Sequence, residues 1–226
     1  MKNLQNLGLL DQDEAVAILS SAFHDDPVMN WVSESPGFIE EMFRATLPFF
    51  LENGICYKVA DGQGAAAWLP PEAQLNWPFS ISNALKIIRN AGFGALYRIA
   101  RSGMVTEKMH PKAPHYYLFA IGVTPEHKGA GFGSALISRV LRQCDQEGMP
   151  AYLENSKEEN LPFYEGHGFV VQQEIRFTRN SPTLWLMWRE PQAIGHLLDA
   201  ESGSCEPRRM QRRAQRPPVG GEGARQ

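Results

Sequence analysis

The sequence predicts an α/β (α+β) fold, a sheet flanked by helices, and three observations carry that expectation. Tyr116 to Val123 is an almost continuous apolar run, as in a strand buried on both faces. It leads into a glycine loop and a helical pattern with apolar positions at Leu136, Ile137, Val140, Leu141 and Cys144, closed by Gly148. Other strand patterns flank this unit: Ile55–Ala60 and Ala65–Leu69 before it, Val170–Ile175 and Leu184–Trp188 after it.

The 226 residues suit one fair-sized folded domain, and 43% hydrophobic with 21% charged residues is ordinary for a soluble globular chain. Met1-Lys-Asn-Leu-Gln leads into no long apolar run, and no segment approaches the ~18–20 apolar residues of a membrane span. Cys56, Cys144 and Cys205 are too far apart for a disulfide framework or a zinc knuckle, so a reducing cytoplasm is expected. The net charge of −3 is unevenly spread. From residue 200 on, six arginines face three glutamates, which leaves 16 basic and 22 acidic groups in the rest of the chain. An acidic body argues against a nucleic-acid surface on the folded domain.

In chain order, Asp13 to Phe23 reads as a first helix with acids at its start, broken by Asp25-Asp26-Pro27. Phe38 to Asn53 reads as a second helix, with a kink or division expected at Pro48 and an end at Gly54. Asp61-Gly62-Gln63-Gly64 is a plausible hairpin turn between the next two strands. Residues 78–112 read as a helical insertion before the central strand, hinged at Gly92 and Gly94. It is either scaffold over the sheet or a wall of a binding pocket. Residues 1–192 are expected to form the folded domain. Residues 193–226, rich in arginine, proline and glycine, are expected to be a disordered tail.

Gly129, Gly131 and Gly133 bare the backbone just before a helix. With the helix dipole behind them, those amides suit a phosphate at residues 128–134, although a simple tight turn needs the same glycines. The Walker pattern fails because Lys128 precedes the glycines and Gly133 is followed by Ser134. A dinucleotide fingerprint begun at Gly129 needs its third glycine where Ser134 stands. Gly122, inside the central strand, marks a bulge or a close approach of backbone or ligand.

Lys128-x-x-Gly131-x-Gly133 after a strand ending in Val123 resembles the acetyl-CoA signature of the GNAT family of N-acetyltransferases. Asn160-Leu-Pro-Phe-Tyr-Glu-Gly-His-Gly-Phe169 resembles that family's Asn…Phe-Tyr…Gly-Phe segment. Ala22-Phe-His-Asp-Asp-Pro27 and Leu153-Glu-Asn-Ser156 are similar to segments of the puromycin-acetyltransferase-like branch. Lys128 departs from the family's glutamine or arginine, keeping a donor but losing the planar fork.

The resemblance implies a mixed, mostly antiparallel central sheet and acetyl-CoA as co-substrate. It also implies direct transfer to a primary amine of a small molecule. It puts the pantetheine arm against the main chain of Ile121 and Val123, the pyrophosphate on Lys128, Gly129, Gly131, Gly133 and Ser134, and the Asn160 side chain toward the cofactor. In the family the tyrosine of the Phe-Tyr pair supplies the leaving thiolate's proton, which here points to Tyr164; otherwise it is a packed helix tyrosine. Glu154, at a strand end, is the candidate base for the amine, or else a solvated acid. Asp25 and Asp26 border the acceptor site by resemblance, or are ordinary turn acids. The six histidines show no metal spacing, so no metal is expected. A monomer or homodimer is expected, without membrane attachment. The alternative is a non-catalytic acetyl-CoA sensor or interaction module.

Overall fold

Seven strands form one sheet. They are β1 (Leu4–Asn6), β2 (Ile55–Val59), β3 (Gly64–Leu69), β4 (Tyr116–Val123), β5 (Ala151–Asn155), β6 (Val170–Arg176) and β7 (Thr183–Arg189). Their spatial order is β1-β2-β3-β4-β5-β7-β6, and every neighbouring pair is antiparallel except β4 and β5. The computed structural model describes residues 2–73, 75 and 81–193; from residue 194 on, the expected tail lies outside them.

Six helices cover the sheet among these residues: α1 (Gln12–Ala22), α2 (Pro27–Val32), α3 (Phe38–Asn53), α4 (Ile81–Met109), α5 (Phe132–Glu147) and α6 (Leu161–Gly166). Strand alternation sends Ala65, Ala67, Tyr117 and Tyr152 toward α1 and α3. Ala66, Trp68, Leu118 and Leu153 face α5 from the other side. The sheet thus buries both faces of its centre, which is why the β4 run reads as continuously apolar.

Local chemistry explains where the helices start and how they continue. Asp26 caps α2, its Oδ1 accepting from the amides of Val28 (3.0 Å) and Met29 (2.9 Å), with Pro27 at the first helical position. Asp25-Asp26-Pro27, which ends α1, thus also starts the next helix. α3 runs unbroken through Pro48. Proline has no N–H for the carbonyl of Arg44 one turn earlier, and the Gln12 side-chain amide reaches that carbonyl at 3.4 Å.

The insertion is helical, as expected, with non-helical backbone at Gly92 (φ 81°), so two helical segments meet there. Its second segment packs Ala95 against Val32 and Phe38, and Arg98 donates to the carbonyls of Trp31 (3.0 Å) and Val32 (3.1 Å). α4 is thereby fastened to α2 and α3.

Gly122 pairs in register with Ala65, so it does not interrupt the β3–β4 ladder. A Cβ there would lie 2.4 Å from that of Ala22. The glycine lets α1 press onto the strand.

Candidate active site

The parallel ladder between β4 and β5 holds Tyr116, Tyr117 and Leu118 opposite Ala151, Tyr152 and Leu153, and ends there. On its other edge β4 continues beside β3, with a register shift in which Ala67 faces Ala120 and Trp68 faces Leu118. Phe119 is the extra residue. A bulge bends the strand that carries it, and this one falls just past the last β4–β5 pair, Leu118 with Leu153. The gap is a small cavity of about 80 Å³, bordered by Leu118 to Ile121 on one strand, Leu153 to Asn155 on the other, and Asn160 and Tyr164 below.

Past Val123 the chain makes a short turn at Pro125–His127 and then the glycine loop. Gly129 (φ 80°) and Gly131 (φ 77°) adopt left-handed backbone that side-chain-bearing residues resist. Gly131 caps α5, so the amides of Phe132, Gly133 and Ser134 have no intrahelical acceptor. Gly133 brings the backbone close to the Phe163 ring, 3.4 Å from where a Cβ would stand. Lys128 is exposed on the loop. Lys2 donates to the Ala130 carbonyl (2.5 Å) and lies 3.8 Å from the centre of the Phe132 ring, a second cation that the sequence did not suggest.

Of the residues expected to bind cofactor, Ile121 and Asn160 border the gap. Val123 ends β4, opposite Gly64, and Lys128, Gly129, Gly131, Gly133 and Ser134 follow over the loop and the start of α5. Asn160 occupies the cap position of α6, but its side chain makes no capping bond.

Tyr164 is buried on the α5 side of the sheet, its ring edge-on to Phe163 and Phe169. Its hydroxyl has no hydrogen-bond partner among the described residues, although the residue borders the gap. Burial, and then the charge of Asp26, push the phenol above its ordinary range, so it stays protonated.

Glu154 lies on the opposite face, half-buried, and accepts from the hydroxyls of Tyr152 (3.1 Å) and Tyr117 (3.3 Å). Burial and the neighbouring carboxylate raise both phenols, which keeps them donors. His110, at the end of the insertion, brings Nδ1 within 3.9 Å of Glu154 Oε1.

A second cavity, about 510 Å³, opens on the α1, α2, α3 and α4 side. It shares Phe23, Asp26, Phe119, Glu154 and Ser156 with the gap, so the two spaces meet at these residues. The insertion is a wall of this cavity: Ile99, Ser102, Gly103 and Thr106, spaced on one helical face, line it.

Asp25 and Asp26 part company. Asp25 is half outside, pairs with Lys157, and is held below its usual range chiefly by that hydrogen bond. Asp26 is almost fully buried at the junction, and its Oδ2 accepts from Ser156 Oγ. Burial raises its carboxyl despite those bonds. An acid before Pro at a helix start was the available signal for its fixed position; Ser156 offered none alone. Among the described residues no group of three or more His, Cys, Asp or Glu side chains could hold a metal ion. No helix among them is long and apolar enough to cross a membrane.

Residues 66–169 match the sequence model of the acetyltransferase (GNAT) family. An uncharacterized N-acetyltransferase of Schizosaccharomyces pombe is 29% identical over 205 residues, 80% of this chain and 81% of the relative. A histone-acetyltransferase-related acetyltransferase from Corynebacterium glutamicum superposes with a TM-score of 0.62 at 20% identity, covering 85% of this chain and 98% of its own. An arylalkylamine N-acetyltransferase from Aedes aegypti gives 0.55 at 13% identity, over 84% and 99% of the two chains. The architecture is the mixed α/β fold of these structures.

Proposed function

We propose that this chain, which the family-model match and the fission-yeast relative support as a GNAT-family acetyltransferase, moves an acetyl group from acetyl-CoA to the primary amine of a small molecule, by direct attack in a ternary complex. One observation carries the reading. The gap where β4 leaves β5 meets the larger cavity beside Glu154, and the strand that borders it runs on through the glycine loop to the start of α5.

The residues present fit the co-substrate. Main-chain groups of Ile121 and Val123 would pair with the pantetheine amides like an added strand. The loop from Lys128 to Ser134 would hold the pyrophosphate, with positive-φ glycines, first-turn amides and the charges of Lys128 and Lys2. Asn160 would face the arm from below. Bound there, acetyl-CoA supplies a thioester carbonyl and a thiolate leaving group.

The chain's own groups handle two protons. An amine with a pKa near ~10.4 is only about 0.04% neutral at pH 7, a penalty of roughly 4.6 kcal/mol. Glu154 would take that proton, directly or through water, its carboxylate aimed by Tyr117 and Tyr152. Tyr164, protonated and on the other side of the gap, would donate to the departing sulfur. Among the described residues, Cys56 and Cys144 are poor acetyl acceptors, because burial pushes their thiols up to about 12.

The Asp26-Pro27 and Leu153–Ser156 segments meet at the junction of the two cavities, which supports placing the protein in the puromycin-acetyltransferase-like branch. Free, buried Cys56 and Cys144 suit a reducing cytoplasm.

A thermal-unfolding scan tests the co-substrate. At ~100 times Kd, acetyl-CoA should add about 2.7 kcal/mol. For a domain of this size that is a rise of roughly 5–10 °C. No rise, or an equal rise with NADH or ATP, would contradict the proposal.

A further inference from the structure

The large cavity has walls of one kind and charges of one sign. Phe38, Met42, Phe43, Phe119, Phe177 and Ile99 make it mostly apolar. Its acidic residues are Asp26 and Glu154, at the junction with the gap, and Glu107, which is exposed. No lysine, arginine or histidine is among its described lining residues. At about 510 Å³ it has the size of a small-molecule site, not of a groove for a folded partner.

These features sort the amines. A cationic amine entering toward Asp26 and Glu154 meets negative charge at the point where the acetyl carbonyl would arrive. Its remaining body is buried against aromatic rings, where apolar surface gains most from leaving water. An amino acid would have to bury its carboxylate beside two acids with no counter-cation in the wall. A polyamine would carry a second ammonium into the apolar part, with only Glu107, screened by solvent, to offset it.

We propose that the acceptor is a primary amine on an uncharged apolar body of about aromatic size, and that amino acids and polyamines are rejected. This rests on the acetyl-transfer reading above. The insertion sets the limit on size. On its cavity-lining face Gly103 contributes no side chain, and a Cβ there would meet no atom within 4 Å. That space is available to the acceptor.

The test measures kcat/KM with saturating acetyl-CoA for phenethylamine, ethylamine, phenylalanine and spermidine, and acetyl-CoA affinity separately. Phenethylamine should exceed ethylamine at least tenfold, and phenylalanine and spermidine at least 100-fold. Gly103→Leu should raise KM for phenethylamine at least tenfold with acetyl-CoA affinity unchanged; Thr106→Leu, on the same helix face, serves if the first variant folds poorly. Equal or better turnover of phenylalanine or spermidine overturns the inference and leaves acetyl transfer standing. Bound acetyl-CoA with no phenethylamine turnover also overturns it. Failure to bind acetyl-CoA removes the underlying reading, and the inference with it.

Discussion

Tyr164→Phe should lower kcat at least 100-fold while the Kd for acetyl-CoA stays within about twofold of the parent protein. The expectation follows from where the hydroxyl is. The residue is buried but borders the gap, and its hydroxyl is engaged by no other side chain or main-chain group among the described residues. It remains protonated because burial and the Asp26 charge both disfavour the phenolate. A positioned proton donor typically contributes 10²–10⁴-fold. Removing one oxygen leaves the ring's packing on Phe163 and Phe169 in place, so folding should be little affected. A kcat within threefold of the parent would assign the proton to another group. Loss of acetyl-CoA affinity at unchanged kcat would make the hydroxyl a binding group only. The variant also separates an enzyme from a sensor: a protein that turns over no amine before the substitution has no rate to lose.

Asp145→Ala should cost about 3–5 kcal/mol of stability, the usual penalty for stranding one partner of a buried ion pair. Both side chains are at most 3% exposed. The Arg189 guanidinium donates to both carboxylate oxygens, at 2.7 and 2.9 Å, and the Gln192 amide adds a third bond at 2.7 Å. Arg189 Nε also donates to the carbonyl of His167, 2.9 Å away, just after α6. The pair therefore ties the end of α5 to β7 and to the helix that carries Tyr164. Loss of the carboxylate should lower Tm by about 6–20 °C. Replacing both partners, as in Asp145→Leu with Arg189→Met, should recover part of that loss, because no charge is then left unpaired. A loss below 1 kcal/mol in the single variant would show that water or another group compensates Arg189.

These two residues illustrate what the sequence does and does not disclose. Tyr164 stands in a local motif, and the strand, loop and helix before it have strong periodicities and glycine signals, so their positions were legible. The β4 strand appeared over the expected residues, and α3 kept the expected bounds despite Pro48, with the Gln12 side chain at the carbonyl that proline leaves unbonded. Asp145 and Arg189 are 44 residues apart, and nothing in either neighbourhood signals the pairing. β1 is three residues long, too short to show alternation, and forms because β2 offers an edge.

The gap between β4 and β5 opens beside the register shift at Phe119, and such a shift is a property of two strands together. Gly122 reads from the sequence as a bulge or a close approach of backbone or ligand; in the fold it stays paired with Ala65, and its absent side chain accommodates Ala22. The insertion's helical character was readable from spacing; which face meets the acceptor cavity depends on α2 and α3. Asp26 was legible as part of a helix break and, by resemblance, as a border of the acceptor site, but not as a buried acid, because its burial comes from packing at the junction of the two cavities.

The most direct measurement incubates the protein with isotopically labelled acetyl-CoA and phenethylamine and follows free thiol and labelled amide together by absorbance and mass spectrometry. Equal amounts of free thiol and N-acetyl product, with no acetyl mass left on the protein, are the predicted result of direct transfer in a ternary complex. A labelled acetyl-protein that later passes its group to the amine would contradict the mechanism. Thiol release without any amide, across phenethylamine, ethylamine, phenylalanine and spermidine, would contradict the assignment as an N-acetyltransferase of small amines.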